Sequence, residues 1–304
     1  MTSSPRQRLP GTPAPTHLWP GAQGVLLAAD AWGPADGQPV LMLPGGGQTR
    51  HSWRATGRLL AAAGYHAVAL DLRGHGDSGW SAQGHYGQDH FVQDLQAVVA
   101  ALGGRRPVLM GASLGGNICL VAAGEGHLDT RALILVDIVP RSERAGFDRV
   151  HAFMTSRPEG FASLDEVADA IAQFRGDGRR PSKPDSLARA VRRAPDGRLH
   201  WHWDPRFMDS READFASRGA RLAACAQQLR VPALLVRGGS SDVVSEQGAQ
   251  EFLALCPQAE YVNVAGAGHM LTADSNEVFG RATIDFLARH APADPTGSGS
   301  ITGQ

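Results

Sequence analysis

Short runs of consecutive apolar residues recur in both halves of the chain and alternate with amphipathic stretches. Most of the runs end at glycine, proline or a charged residue, which is typical of strands buried on both faces of a sheet. Between them, apolar residues recur about every 3.6 positions, as from Gln88 to Leu102, and this spacing predicts helices. The predicted strands are Gly24–Trp32, Pro39–Leu43, His66–Leu70, Arg106–Met110, Ala132–Val136, Val231–Val236 and Glu260–Val264.

The alternation of strands and helices predicts an α/β protein with a mostly parallel sheet covered by helices on both faces. It stops after Pro140 and resumes near Val231. The segment between them is polar and helix-like, with a capping box at Ser163–Glu166 and no convincing strand. The expected parts are a disordered N-terminus (1–15), a core (16–140 and 231–291), a mainly helical cap (141–230) and a disordered tail (292–304). The cap is inserted after Ala132–Val136, which is the sixth strand of the expected fold.

The segment Gly111–Gly115 has the pattern G-x-S-x-G and lies between a predicted strand and a helix rich in small residues. A serine on such a sharp turn is the nucleophile elbow of many hydrolases. The turn holds the serine in a sparsely allowed backbone conformation. Glycine is needed on either side, because strand and helix nearly touch there. We therefore predict that Ser113 is a catalytic nucleophile.

A serine hydroxyl needs a base within hydrogen-bond reach, and a carboxylate that orients this base. His269 is the predicted base, since it lies in a loop of small residues directly after the last predicted strand. Asp242 and Asp137 each follow a predicted strand. We favour Asp242, because its glycine-serine loop can reach a histidine one strand further on. The order Ser113, Asp242, His269 is also that of the elbow class. Asp137 would then be a structural carboxylate.

The oxyanion of a tetrahedral intermediate needs preorganised N–H donors. Leu114 N–H is one candidate, because it lies at a helix N-terminus, and Gly46 N–H in the loop Gly45–Gln48 is the other. The glycines of this loop are also compatible with a flexible turn or a phosphate cradle. With Asp71 they superficially resemble a dinucleotide fingerprint, but Arg50 stands where the third glycine is required. We expect no cofactor.

Three further features lie in the expected cap and in the loop after the predicted strand His66–Leu70. His200 and His202 have a spacing compatible with a metal, but no third ligand is evident, so we expect a surface or lid segment and no metal. The loop Arg73–Ser78 is expected to close one wall of the site. The candidates for an apolar substrate pocket are Trp201, Trp203, Phe207, Phe153 and Met154.

Composition excludes several classes of partner. The chain has 304 residues, a net charge of −1 and 42% hydrophobic residues, so it shows no electrostatic footprint for nucleic acid or anionic membranes. Three cysteines, an odd number in apolar contexts, favour buried thiols in a reducing compartment, and we expect a cytoplasmic protein. We expect no signal peptide and no membrane-spanning helix.

Taken together, the motifs resemble the α/β-hydrolase superfamily, in its lid-bearing branch of serine esterases and lactonases, C–C bond hydrolases and cofactor-free perhydrolases. The resemblance covers about residues 24–290. It implies a serine hydrolase that cleaves a small to medium, largely apolar carboxylic ester or lactone through an acyl-enzyme. Pro44 departs from the pattern, because many members carry histidine there. The motifs that carry the resemblance are Pro44–Gly47, Asp71–Ser78, Gly111–Gly115, the Asp242 loop and Gly268-His269.

Alternative functions stay open within this resemblance. A C–C hydrolase of a diketone ring-fission product would use the same triad, as would a cofactor-free perhydrolase. The fold is also used by ligand receptors that keep a slow or inactive triad. Haloalkane dehalogenases and epoxide hydrolases carry aspartate at the elbow, so Ser113 argues against both. The expected partner is a small-molecule ester, and a homodimer is left open.

Overall fold

The computed structural model describes residues 7–175, 180–181, 184–268 and 277–293. The strands are β1 (His17–Pro20), β2 (Leu26–Trp32), β3 (Pro39–Leu43), β4 (His66–Leu70), β5 (Val108–Ala112), β6 (Ala132–Val136), β7 (Val191–Arg193), β8 (Leu199–Trp201), β9 (Ala233–Gly238) and β10 (Ala259–Val264). The helices are α1 (Arg54–Ala62), α2 (Gln88–Ala101), α3 (Leu114–Gly124), α4 (Arg144–Thr155), α5 (Leu164–Arg175), α6 (Pro184–Ala190), α7 (Arg206–Gln228), α8 (Glu246–Leu255) and α9 (Glu277–His290). Within these ranges no helix is long and apolar enough to cross a membrane.

An eight-stranded sheet with the order β1-β2-β4-β3-β5-β6-β9-β10 forms the centre of the fold. The pairs β1–β2 and β2–β4 are antiparallel, and the others are parallel. Side chains alternate between two buried clusters, one on each face: Leu41 and Leu43 join one cluster, and Val40 and Met42 join the other. Helices α1 and α9 cover one face and α2, α3 and α8 the other. The predicted fold class is confirmed.

The inserted segment 141–230, expected to form a cap and called the cap below, contains helices α4 to α7 and also a two-stranded antiparallel hairpin, β7–β8. The expectation for this segment was a helical region with no convincing strand, so the hairpin is a correction. Each strand has only three residues, too few for a clear period-two pattern. Val191, Leu199 and Trp201 are buried, so packing inside the cap stabilises the hairpin rather than strand propensity.

Residues 7–15, which were expected to be disordered, lie against the cap. The backbone of Gln7 pairs with Arg193 at the edge of the hairpin, and the side chain of Leu9 is buried. Arg8 Nε lies 3.6 Å from Asp77 Oδ1 in the core. The partner of Gln7 in this pairing is distant in sequence. The proline-rich N-terminal segment has no alternation of apolar and polar residues that would predict a strand.

A buried group of charges joins the cap to the core. Arg50 is fully buried, and its guanidinium lies 2.6 Å from Asp71, 2.9 Å from Asp77 and 3.0 Å from Asp30. Burial alone would lower the pKa of Arg50, but the three carboxylates raise it above its ordinary value. Arg192 of the cap hairpin also pairs with Asp77, at 2.9 Å. Asp71 therefore serves as a structural ion-pair partner of Arg50.

Candidate active site

Ser113 lies on a sharp turn between β5 and α3, with φ +46° and ψ −112°. This conformation is unfavourable for a residue with a side chain, so the surrounding packing must sustain it. A Cβ at Gly111 would lie 2.4 Å from the backbone of Gly115, and one at Gly115 would lie 2.2 Å from Leu43 O. The backbone of Pro44, the departure noted above, accepts a hydrogen bond from Gly115 N–H at 3.1 Å. A backbone hydrogen bond thus connects the turn at Ser113 to the loop after β3.

A cavity of about 450 Å³ lies between the cap and the carboxyl edge of the parallel strands. Ser113 and the loop Gly45–Gln48 line it from the core side. In the cap wall, Trp201 and Trp203 stack with ring centroids 5.1 Å apart. The five residues expected as pocket candidates all line the cavity: Trp201, Trp203, Phe207, Phe153 and Met154.

The two N–H groups expected to bind an oxyanion both belong to residues of the cavity wall. Leu114 is the first residue of α3, so its N–H has no carbonyl partner within the helix. In the loop after β3, Gln48 N–H donates to Gly45 O at 3.1 Å, and Gly45 N–H donates to Gln48 Oε1 at 3.2 Å. No acceptor in the described residues takes the N–H of Gly46. The loop is therefore closed on itself, while the N–H groups of Gly46 and Leu114 remain for a ligand.

His202 of the cap forms a hydrogen bond with this loop and a second one with the backbone of Gly76. Its imidazole is 1% exposed, and its Nδ1 accepts a hydrogen bond from Gly76 N–H at 2.8 Å. Because that partner is a backbone donor, we assign the proton to Nε2, which lies 3.2 Å from Gly47 O and donates to it. Burial, followed by the charge of Arg192, holds the pKa of His202 well below its ordinary value, so the ring is neutral.

The role of His202 differs from the expectations for its sequence neighbourhood. The spacing of His200 and His202 suggested a surface or lid segment, whereas His202 is buried at the interface between cap and core. The loop Arg73–Ser78 was expected to close a wall, but none of its residues belongs to the described cavity wall. No sequence motif indicates the contact between Gly76 and His202, because the two residues are 126 positions apart.

The two candidate carboxylates lie in different surroundings. Asp137 is 1% exposed, lines the cavity and has φ +50°. Its Oδ1 accepts a hydrogen bond from Gly238 N–H at 2.9 Å, and its Oδ2 accepts one from Ser241 Oγ at 2.5 Å. Asp242 is half exposed and forms a two-pronged ion pair with Arg149 of the cap, at 2.7 and 2.9 Å. Its side chain is not part of the described cavity wall.

The predicted base, His269, lies outside the described residues. The chain can be followed to Gly268, directly before it. A Cβ built at Gly238 would lie 2.5 Å from Gly268 O, so these two backbones are in close contact. Since Gly238 N–H donates to Asp137, the strand end that binds this carboxylate also contacts the residue before His269.

Comparisons with known proteins agree with this architecture. The family model described as alpha/beta hydrolase fold matches residues 38–275. An esterase of Mycobacterium tuberculosis is 28% identical over 276 residues, which cover 87% of this chain and 86% of the relative. The 2-(acetamidomethylene)succinate hydrolase of Mesorhizobium japonicum is 28% identical over 226 residues, covering 73% and 78%. Among solved structures, an alpha/beta hydrolase from Novosphingobium aromaticivorans has a TM-score of 0.72 at 26% identity, covering 90% of this chain and 97% of that one.

Proposed function

The chain belongs to the α/β hydrolase fold family, and on that premise we propose that it is a serine hydrolase that cleaves a carboxylic ester or lactone. The observation that carries the proposal is the strained Ser113 on the wall of a cavity that Gly46 and Leu114 also line. A nucleophile and two N–H donors around one apolar cavity are the parts that acyl transfer requires. The esterase among the relatives supports the same class of reaction.

In the proposed reaction, Ser113 Oγ attacks the ester carbonyl carbon while His269 accepts the hydroxyl proton. The oxyanion that forms accepts hydrogen bonds from Gly46 N–H and Leu114 N–H, and each such donor contributes about 3–4 kcal/mol to transition-state stabilisation. Protonated His269 then gives its proton to the leaving alcohol, and the acyl group stays on Ser113. Water, deprotonated by His269, attacks the acyl-enzyme. The bond between Ser113 Oγ and the acyl carbon then breaks, His269 returns the proton to Oγ, and the carboxylic acid is released.

We propose Asp137 as the carboxylate that orients His269, with Asp242, favoured by the sequence, as the alternative. Burial in the cavity wall and two fixed hydrogen bonds hold the Asp137 carboxylate in one position. The contact between Gly238 and Gly268 supports a short reach from Asp137 to position 269. The pairing of Asp242 with Arg149 instead directs that carboxylate towards the cap surface.

The walls of the cavity support an acyl or alcohol group that is largely apolar. Aromatic and aliphatic side chains of the cap, among them Met154, Trp203 and Phe207, lie next to the loop that carries Gly46 and Gly47. A Cβ at Gly47 would lie 3.3 Å from Met154 and 3.5 Å from Trp203, so the cap covers the loop closely. A volume of about 450 Å³ suits a small to medium substrate.

Hydrolysis of 4-nitrophenyl butyrate by the purified chain and by Ser113→Ala tests the proposal. The wild-type chain is expected to turn the ester over, and the variant to lose about 10⁴-fold or more in kcat. A fluorophosphonate probe is expected to add to Ser113 and to no other serine when the labelled peptide is mapped by mass spectrometry. Ser163→Ala, at the start of α5 and outside the cavity, is the matched control and keeps activity and labelling. Equal activity of wild type and Ser113→Ala would refute the proposal.

A further inference from the structure

Positive charge is concentrated on the cap side of an otherwise apolar cavity. Arg175, Arg189 and Arg218 belong to its wall. Asp137 is the only carboxylate among the described lining residues, and both its oxygens already accept hydrogen bonds from core groups. The described wall of this cavity therefore carries more positive than negative charge.

Arg189 is the least satisfied of these cations. Its Nε is buried, and no acceptor in the described residues bonds to it. Arg189 also forms no ion pair within the described ranges, in which Asp71 and Asp77 pair with Arg50 and Arg192. Leaving a buried charged donor without an acceptor costs free energy, so such a group in a cavity wall indicates a ligand atom that completes it.

The position of Arg189 relates it to the proposed catalytic loop. His51 lines the cavity just beyond the loop Gly45–Gln48, and its side chain is 12% exposed. Burial, then Arg50 and then Arg189 lower the pKa of His51 to about 4. His51 is therefore neutral at physiological pH. Arg189 and His51 both belong to the wall of the cavity that the loop Gly45–Gln48 also lines.

We propose that the cavity binds an ester that carries a carboxylate at the end of an apolar chain, and that Arg189 binds this carboxylate. The proposal rests on the proposed ester hydrolysis and adds the substrate class. A guanidinium presents parallel N–H donors that match the two oxygens of a carboxylate. A singly charged carboxylate also fits an apolar wall better than a dianionic phosphate, because burying a second charge adds a large desolvation cost.

Mono-4-nitrophenyl adipate and 4-nitrophenyl hexanoate test this specificity, since they have acyl chains of equal length and differ in the terminal carboxylate. The wild-type kcat/KM is expected to favour the adipate by about tenfold or more, the size of one charge-assisted hydrogen bond. Arg189→Gln is expected to lose this preference, measured as the ratio of the two kcat/KM values. Arg141→Gln, on an exposed residue outside the cavity, is the matched control and keeps the preference.

Calorimetric binding to the Ser113→Ala variant separates this inference from the proposed reaction. Monoethyl adipate is expected to bind at least about tenfold more tightly than ethyl hexanoate, and the added Arg189→Gln change is expected to abolish the difference. Hydrolysis of both nitrophenyl esters without preference would overturn the inference and leave the hydrolase intact. Arg189-dependent binding without turnover of either ester would support the inference and refute the ester hydrolase. Equal binding of both ligands would overturn the inference even if neither ester were hydrolysed.

Discussion

The imidazole of His202 in the cap lies 3.2 Å from the carbonyl oxygen of Gly47, one residue beyond the proposed oxyanion donor Gly46. The same ring accepts a hydrogen bond from Gly76 N–H, so it links two loops of the core through one buried side chain. The cap therefore lines the cavity and also forms a hydrogen bond with the core backbone beside Gly46. It contributes a positioning residue to the backbone that holds the proposed oxyanion donor.

His202→Phe is expected to lower kcat for 4-nitrophenyl butyrate by about a hundredfold, because a loop displaced by ~1 Å no longer places its donor correctly. KM is expected to change by much less, since the apolar wall remains. Steady-state kinetics at a temperature well below the unfolding midpoint gives both values. His200→Gln, on the same hairpin, is the control and keeps kcat. A kcat for His202→Phe within twofold of wild type would contradict the positioning role.

The two candidate acids are expected to respond very differently to the same substitution. Asp137→Asn is expected to lower kcat by about 10³–10⁴-fold, because an amide cannot stabilise the imidazolium or hold the correct tautomer. Asp242→Asn is expected to stay within a few-fold of wild type, since it removes an exposed ion pair with Arg149. The measurement is kcat for a 4-nitrophenyl ester, with circular dichroism of each variant. The reverse ranking would restore Asp242 as the acid.

Arg50→Met is expected to destabilise the fold by about 3–5 kcal/mol, because Asp30 and Asp71 would lose the counter-charge of Arg50, while Asp77 would keep Arg192. Equilibrium unfolding in urea measures the free energy of unfolding. Arg144→Gln is the matched control: its ion pair with Asp148 is exposed at both ends, so its loss is expected to cost about 0.5 kcal/mol or less. Similar costs for the two variants would show that the buried cluster contributes no more than a surface pair.

Acidification is expected to destabilise the fold through His51. Its pKa is about 4 in the fold and 6.5 in the unfolded chain, so between these values the unfolded state binds the proton and the folded state does not. Stability contributed by this residue is therefore fully present above about pH 6.5 and decreases as the pH falls towards about 4. Thermal unfolding midpoints between about pH 7 and pH 4.5 are expected to fall less steeply in His51→Gln than in wild type. Equal slopes would exclude this contribution.

Local patterns in the sequence were sufficient for most of the sheet. The predicted strands Pro39–Leu43, His66–Leu70 and Ala132–Val136 have the observed bounds, because continuous burial on both faces requires an uninterrupted apolar run. No comparable pattern in the sequence predicts the cap hairpin or the pairing of Gln7 with Arg193. Their strands are very short, and they are stabilised by contacts with distant residues rather than by their own periodicity.

For the site, the sequence by itself determined the sharp strand-to-helix turn at Ser113, since the close approach of strand and helix there requires Gly111 and Gly115 at fixed spacing. Only the tertiary structure decided which aspartate faces the cavity, because Asp137 and Asp242 both follow strands. Arg149, 93 positions before Asp242, pairs with it at the surface, while Ser241 and Gly238 hold Asp137 in the wall. Periodicity and turn motifs act over a few residues, whereas burial and charge pairing depend on contacts that form only when the chain folds.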